Sequence, residues 1–385
     1  MSGSWVATYR LQLHAGFPLS AAQQVLGYLA ELGISHVYLS PCLQAVPGSQ
    51  HGYDVVDPSK ISDDLGGERA WSDFVRAARQ LQLRILLDIV PNHMSASHHN
   101  PWWDDVLQHG PFSPFVDFFD IRNPQNQPFR VHLCSLAKPY GAALEAGELR
   151  IEVIGNEPRV KHYENTWPLA PASWGELLKE GAERCFEELD RLRGVAEPGE
   201  EERCAYQRHA ARARDVLAAA AASGRLHEAI AGIQSDSAHL DAILRRQYFL
   251  LHGWKLSGEL TNYRRFFDID SLVGIRPERP EVAAATHARI EQMIAKGEID
   301  GVRVDHPDGL REPLQYFERL RRMLPEGRIY IEKILENDER LREGWPIDGT
   351  VGYEFLAKVN RLWMDDQRTD VLTATYADFT GHSVN

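Results

Sequence analysis

Along the first hundred positions the apolar residues recur with two alternating periods. ATYRLQL (7–13) reads as a strand. After it, Ser20 is placed to cap a helix whose residues Ala22, Val25, Leu26, Leu29 and Leu32 share one face, with Gly33 at its stop. HVYLS (36–40) is a second strand. Beyond a loop rich in Pro, Gly and Ser, the helical period returns from Glu68 through Trp71, Phe74, Val75, Ala78 and Leu81, and leads into the apolar run RILLDIV (84–90). Such alternation predicts parallel strands joined by crossover helices, in a closed barrel or an open doubly wound sheet.

The rhythm breaks at Pro91. Up to Phe119 the chain is rich in proline and in aromatics (Trp102, Trp103, Phe112, Phe115, Phe118, Phe119), and LRIEVIG with RVKHYEN (149–165) predicts a β-hairpin. Residues 173–252 read as polar helix, with a turn at AEPGEEER (196–203) and a helix-favouring alanine run at 218–222. Sustained heptads are missing, so a solvated helix pair is expected there rather than a coiled coil. Alternation resumes with a helix at 281–296, the strand IDGVRV (299–304), a helix with Pro313 in its first turn, and the strand RIYIE (328–332). DGTVGYEF (348–355) is a candidate sixth strand. The expected organisation is strands one to three in 1–90, an inserted subdomain in 91–260, and strands four to six in 261–385.

Composition narrows the function. With 43% hydrophobic residues over 385 positions the chain can bury a large core. A formal net charge of -13 repels phosphate backbones and anionic lipid, so no nucleic-acid partner and no membrane role are expected, whereas a neutral substrate is compatible. The N-terminus lacks a basic segment followed by an apolar one, and no apolar run reaches the roughly 18 residues of a membrane span, which makes a cytoplasmic protein the expectation. Cys42, Cys134, Cys185 and Cys204 show no metal-binding spacing.

Chemistry concentrates at strand ends. RILLDIVPNH places Asp88 and His93 at the C-terminal end of the third strand, GVRVD places Asp305 at that of the fourth, and RIYIEK places Glu332 at that of the fifth. Ligands of parallel α/β proteins bind at those ends. One such aspartate serves equally well to cap the next helix, but three successive strands favour a site. Two carboxylates about 5–5.5 Å apart suit a retaining glycosidase, with Asp305 as nucleophile and Glu332, kept protonated by its negative neighbour, as the acid. Arg303 shares a face with Asp305 by the period of two; it is a cation that keeps Asp305 ionised, a structural ion pair, or both. Tyr53, in SQHGYDVVDP on the same rim, is a candidate for stacking on a sugar, with a buried, hydrogen-bonded tyrosine as the alternative; of Trp102 and Trp103 at least one suits the core. The same carboxylates at Asp88, Asp305 and Glu332 also suit a Mg²⁺ site for enolate chemistry.

QHGYDVVDP, LLDIVPNH, GVRVDHPDGL and IYIEKIL resemble, in this order, the sequence blocks of the α-amylase family of glycoside hydrolases and transglycosylases. ATYRLQLHAGF, NYRRFFDIDSLVGIR (262–276), VDHPDGL and IEKIL are similar in particular to its subfamily of maltooligosyl trehalose synthases, and the resemblance covers essentially the whole chain. It implies an α/β fold, a (β/α)8 TIM barrel of the α-amylase type with a mostly helical subdomain inserted after strand 3. It implies Asp305 as nucleophile and Glu332 as general acid/base. Tyr53 stacks on the sugar, His93 binds a hydroxyl, Arg303 partners the nucleophile, Asp88 supports them, and His306 lies toward the acceptor. The implied reaction is intramolecular: the α-1,4 bond next to the reducing-end glucose of a maltooligosaccharide is cleaved, the remainder is held as a covalent glycosyl-enzyme, and the freed glucose attacks through its anomeric hydroxyl to give an α,α-1,1 bond. No metal or organic cofactor is implied, and the aromatic, Pro-rich stretch is expected to act as a lid. The family's third catalytic aspartate, at the seventh strand, has no counterpart before Asn385, so a barrel cut after about six strands and negligible activity of residues 1–385 alone are expected. The rival readings are another α-glucan hydrolase or transglycosylase of the family and a non-catalytic glucan-binding remnant.

Overall fold

In a computed structural model, which describes residues 5–124, 127–178, 183–336 and 338–382, the strand–helix alternation forms one six-stranded sheet. Strands β1 (Thr8–Leu11), β2 (His36–Leu39), β3 (Arg84–Ile89), β4 (Gly301–Val304), β5 (Arg328–Ile331) and β6 (Gly349–Thr350) lie side by side in chain order, every neighbouring pair parallel. The crossovers carry helices α1 (Leu19–Gln24), α2 (Leu26–Glu31), α3 (Gly67–Gln80), α4 (Pro280–Ala295) and α5 (Pro313–Met323), and α6 (Tyr353–Arg361) follows β6. This is the curled sheet and helix layer of an α-amylase-type barrel, six strands in sequence.

The period of two sorts the strand residues. Val37, Leu39, Ile85, Leu87, Ile89, Val302, Val304, Ile329 and Ile331 face the helices and pack on Leu26, Leu29, Trp71, Phe74, Ile290, Met293, Phe317 and Leu320. Each such side chain, fully buried, contributes about 1.5–3 kcal/mol. The intervening residues, among them Arg10, Tyr38, Asp88 and Arg303, point to the concave face. Sheet packing therefore fixes where the charged groups go.

Several local expectations are corrected. The first helix begins at Leu19 with Pro18 at its N-cap and no side-chain cap, so Ser20 lies inside the first turn. Val25 divides α1 from α2, and Leu32 and Leu81, at the ends of their apolar faces, are 53% and 41% exposed because each helix has already ended. Gly33 does end the helix, at φ +84°, with the Ile34 N–H donating to the Leu29 carbonyl at 3.0 Å. The expected sixth strand shrinks to Gly349–Thr350, because Gly352 at φ +91° turns the following residues into α6.

Between β3 and β4 the chain builds a second core. The predicted hairpin is there, Arg150–Ile154 against Glu157–His162, turning through Gly155 and Asn156 at positive φ, and a third strand Asn165–Pro168 extends it. Helices Glu183–Arg193, Glu200–Ala222, Arg225–Gln234 and Ser237–Leu244 replace the expected solvated pair, and the longest buries Tyr206, Ala210, Ala213, Leu217 and Ala220. The aromatic stretch after Pro91 fills this core: Trp103, Phe112 and Phe119 are buried, and Trp102 stacks on Phe115. Strand His93–Ser95 pairs with Ile269–Gly274, which ties the start of this region to its end. Among the described residues no helix is long and apolar enough to cross a membrane.

Candidate active site

The ladder continues one residue past β4 and β5. The Asp305 N–H donates to the Ile89 carbonyl and the Glu332 N–H to the Val304 carbonyl, each at 2.9 Å, so both carboxylates are fixed by backbone before any side-chain contact forms. Register sets Arg303 directly beside Asp88. The Arg303 guanidinium then gathers three carboxylates: Nη1 donates to Asp88 Oδ1 at 2.7 Å and to Asp305 Oδ1 at 2.8 Å, and Nη2 lies 2.8 Å from Glu332 Oε1. Arg303, Asp88 and Asp305 are all at most 5% exposed. One planar guanidinium therefore bridges the carboxylates at the ends of two adjacent strands. The fork also fills the place a hard cation would take, which disfavours the Mg²⁺ alternative.

Asp88 carries more donors on its other oxygen. Oδ2 accepts from the Tyr53 hydroxyl at 2.6 Å, from Arg10 Nη1 at 3.0 Å and from the Tyr38 hydroxyl at 3.2 Å. Its side chain is wholly buried and holds the cluster together. Tyr53 reaches it from the loop after Gly52, whose φ of +79° and close approach to Pro41 leave no room for a Cβ, which would lie 2.5 Å from the Pro41 carbonyl oxygen.

The two histidines flank the cluster. His93 is fully buried under the Phe266 ring, centroids 3.9 Å apart, with both ring nitrogens unpartnered, and burial lowers its pKa to about 3, so the ring is neutral. His306 adopts the left-handed conformation, φ 40° and ψ 61°, and lies 4.6 Å from the exposed Phe267 ring. Behind them Arg264 donates to Asn92 Oδ1 at 2.7 Å and pairs with Asp120. Asn92 in turn packs so closely on Gly309 that a Cβ there would sit 2.5 Å from Asn92 Oδ1. The loops after β3 and β4 are thereby locked together.

A cavity of about 430 Å³ opens over the cluster, lined by Arg10, Tyr53, Arg303, Glu332 and Tyr353 among others, and the Tyr353 hydroxyl donates to Glu332 Oε1 at 3.3 Å. Three carboxylates face two guanidiniums. Burial, joined by the charges of Asp88 and Glu332, outweighs the lowering by Arg303 and pushes Asp305 up to about 7. Arg303 acts in the expected direction, favouring the ionised carboxylate, and burial opposes it. Asp305 Oδ2 is buried and has no hydrogen-bond partner.

Of the residues named from sequence, Tyr53, Asp88, Arg303, Asp305 and Glu332 form one bonded cluster, with His93 and His306 linked to each other through the Phe266 ring. The sequence pattern does not single out Arg10, Tyr38 or Tyr353. The signal for Arg10 lay in ATYRLQL, where the period of two sets Arg10 and Gln12 opposite Leu11 and Leu13.

Residues 19–136 match the family model for the alpha-amylase catalytic domain. Over 377 residues the chain is 33% identical to a putative maltooligosyl trehalose synthase of Mycobacterium tuberculosis, covering 96% of this chain and 40% of that protein. Among solved structures, a maltooligosyltrehalose synthase from Arthrobacter ramosus superposes with a TM-score of 0.74 at 32% identity, over 98% of this chain and 41% of its own. A glycosyltrehalose synthase gives 0.76 at 31%, over 99% and 44%. The chain thus spans well under half the length of the relatives it matches. Residues 19–136 are thus similar to the alpha-amylase catalytic domain, and nearly the whole chain is similar to part of the maltooligosyl trehalose synthases.

Proposed function

We propose that the protein rearranges the reducing end of maltooligosaccharides, converting the last α-1,4 linkage to α,α-1,1 by a retaining, covalent mechanism. The observation that carries the reading is the shared fork of Arg303, which brings Asp305 and Glu332 together at the ends of adjacent parallel strands beside an open cavity. In the first step Asp305 Oδ2 bonds to the anomeric carbon as the C–O bond to the terminal glucose breaks, and Glu332 gives its proton to the departing oxygen. In the second, the carboxylate of Glu332 takes the proton of the glucose anomeric hydroxyl, whose oxygen attacks the same carbon and releases Asp305. Two displacements restore the α configuration. Tyr53 offers its ring to the sugar being transferred, His93 a neutral ring nitrogen to a hydroxyl, and His306 with Phe267 the acceptor side. Residues 1–90 and 261–385 supply the barrel part of this site, and 91–260 the inserted subdomain.

The test is product analysis with maltopentaose, using the full reading frame that contains residues 1–385. Loss of reducing ends without free sugar is expected. New reducing ends instead identify an α-glucan hydrolase, and an unchanged substrate that still binds identifies a non-catalytic glucan-binding protein.

A further inference from the structure

We propose that Arg10 is a positioning residue of the site: its guanidinium braces the Tyr53 hydroxyl against Asp88 and so holds the Tyr53 ring where a sugar stacks. The inference rests on the glucan reading above.

Tyr53 stands in a loop, preceded by Gly48 and Gly52 at φ +79°, so no strand or helix sets its side chain. Its hydroxyl supplies the anchor. The phenol donates to Asp88 Oδ2 at 2.6 Å and accepts from Arg10 Nη2 at 2.8 Å, while Arg10 Nη1 donates to the same Asp88 oxygen at 3.0 Å. The three groups close a triangle. A tyrosine hydroxyl has one proton to give, and here it is given to Asp88, so the group Tyr53 offers a ligand is the face of its ring. The second face of Arg10 lies over the Tyr38 ring at 4.4 Å, which fixes the guanidinium from below.

Arg10 is also set apart from Arg303 by place. Both line the cavity, but the Arg10 side chain is 33% exposed and that of Arg303 only 6%, and the two take opposite oxygens of Asp88. Removing Arg10 leaves Asp88 with donors from Arg303, Tyr38 and Tyr53, so the carboxylate remains bonded. What is lost is the fork that ties Tyr53 to it from the side. The ring then swings about its remaining hydrogen bond.

Two readouts test this. In protein labelled with fluorotyrosine, the ¹⁹F line that disappears in Tyr53→Phe belongs to Tyr53; Arg10→Met is expected to shift and broaden that line. In Arg10→Gly, added guanidinium is expected to restore its position, as a vacant, cavity-facing site allows. Affinity for maltopentaose is expected to fall roughly tenfold in Arg10→Met, and to fall much less when Arg10→Met is made in a Tyr53→Phe background, where the brace has nothing to hold. An unmoved Tyr53 line in Arg10→Met overturns the proposal, as does an equal loss of affinity in both backgrounds. If the unaltered protein binds no maltopentaose, the glucan reading falls, and the ¹⁹F arm still decides whether Arg10 braces Tyr53.

Discussion

The raised proton affinity of Asp305 makes a prediction about stability that needs no substrate. An ordinary aspartate near 3.8 that is pushed up to about 7 binds more protons in the folded protein than in the unfolded chain throughout the interval between those values. Stability contributed at this position is therefore greatest at the acid end and falls as pH rises through 7, the reverse of an aspartate in a favourable ion pair. Above 7 the full difference is about 4 kcal/mol, from about 1.4 kcal/mol for each step of one in pKa. Asp305→Asn removes the titration while leaving Arg303 its contacts with Asp88 and Glu332. The expected result is that the stability of the unaltered protein, measured by urea unfolding relative to Asp305→Asn, drops by up to about 4 kcal/mol between pH 4 and pH 8. For a chain of 385 residues that is about 5 °C in melting temperature. Comparing two variants at each pH cancels the other carboxylates. Because Glu332 is one of the charges that raise Asp305, the drop is expected to shrink in a Glu332→Gln background. A difference that stays flat from pH 4 to pH 8 refutes the reasoning, for it means that Arg303 compensates Asp305 completely.

Glu332→Gln is expected to slow transfer from maltopentaose by roughly 10²–10⁴-fold while sparing release of fluoride from α-maltosyl fluoride, whose leaving group needs no proton; steady-state rates on the two substrates check it. Gly52→Ala forces a Cβ to 2.5 Å from the Pro41 carbonyl at a φ of +79°, and is expected to cost roughly 1–3 kcal/mol in thermal unfolding and to weaken glucan binding by displacing Tyr53. Trp103→Ala empties the centre of the second core and is expected to cost roughly 3–5 kcal/mol, with hydrogen exchange rising between β3 and β4 and unchanged in β3 to β5.

The strands that carry the site were the legible ones. β3, β4 and β5 are short apolar runs because one face packs on helices; β4 and β5 end where Asp305 and Glu332 begin, while Asp88 stands next to last in β3. The strands Val131–Leu136 and Phe249–Gly253 were not legible, since they pair with each other across the intervening helices and neither is bounded by a turn that names its partner. Helix ends are hidden for a similar reason: Leu32 and Leu81 fit the period of the face but fall beyond the last turn. At the site, the pairing of Arg303 with Asp305 follows from a spacing of two along one strand. The sharing of Arg303 with Asp88 and Glu332 depends on the register of β4 with β3 and β5, which spacing does not encode. Burial, with the charges of Asp88 and Glu332 added, is what raises Asp305.

Register also explains why these particular side chains occupy these levels. Arg10 is level with Tyr38, and Tyr38 with Leu86, so Asp88 stands one pleat higher than both, about 7 Å nearer the C-terminal rim. Arg303 is level with Asp88, and because Val304 is level with Ile331, Asp305 comes level with Glu332 one further pleat up. The longest side chains therefore start lowest. Arg10 and Tyr38 have the reach to climb a pleat to Asp88, and Arg303 has the reach to climb from Asp88 to Asp305 and Glu332. Short aspartates at the lower levels would leave their carboxylates one pleat apart and unbridged, and long cations at the top would project into the cavity instead of beneath it. The site is a staircase of cations, each reaching up to hold a carboxylate at or above its own level, and at the upper level of that staircase Asp305 Oδ2 is left unheld.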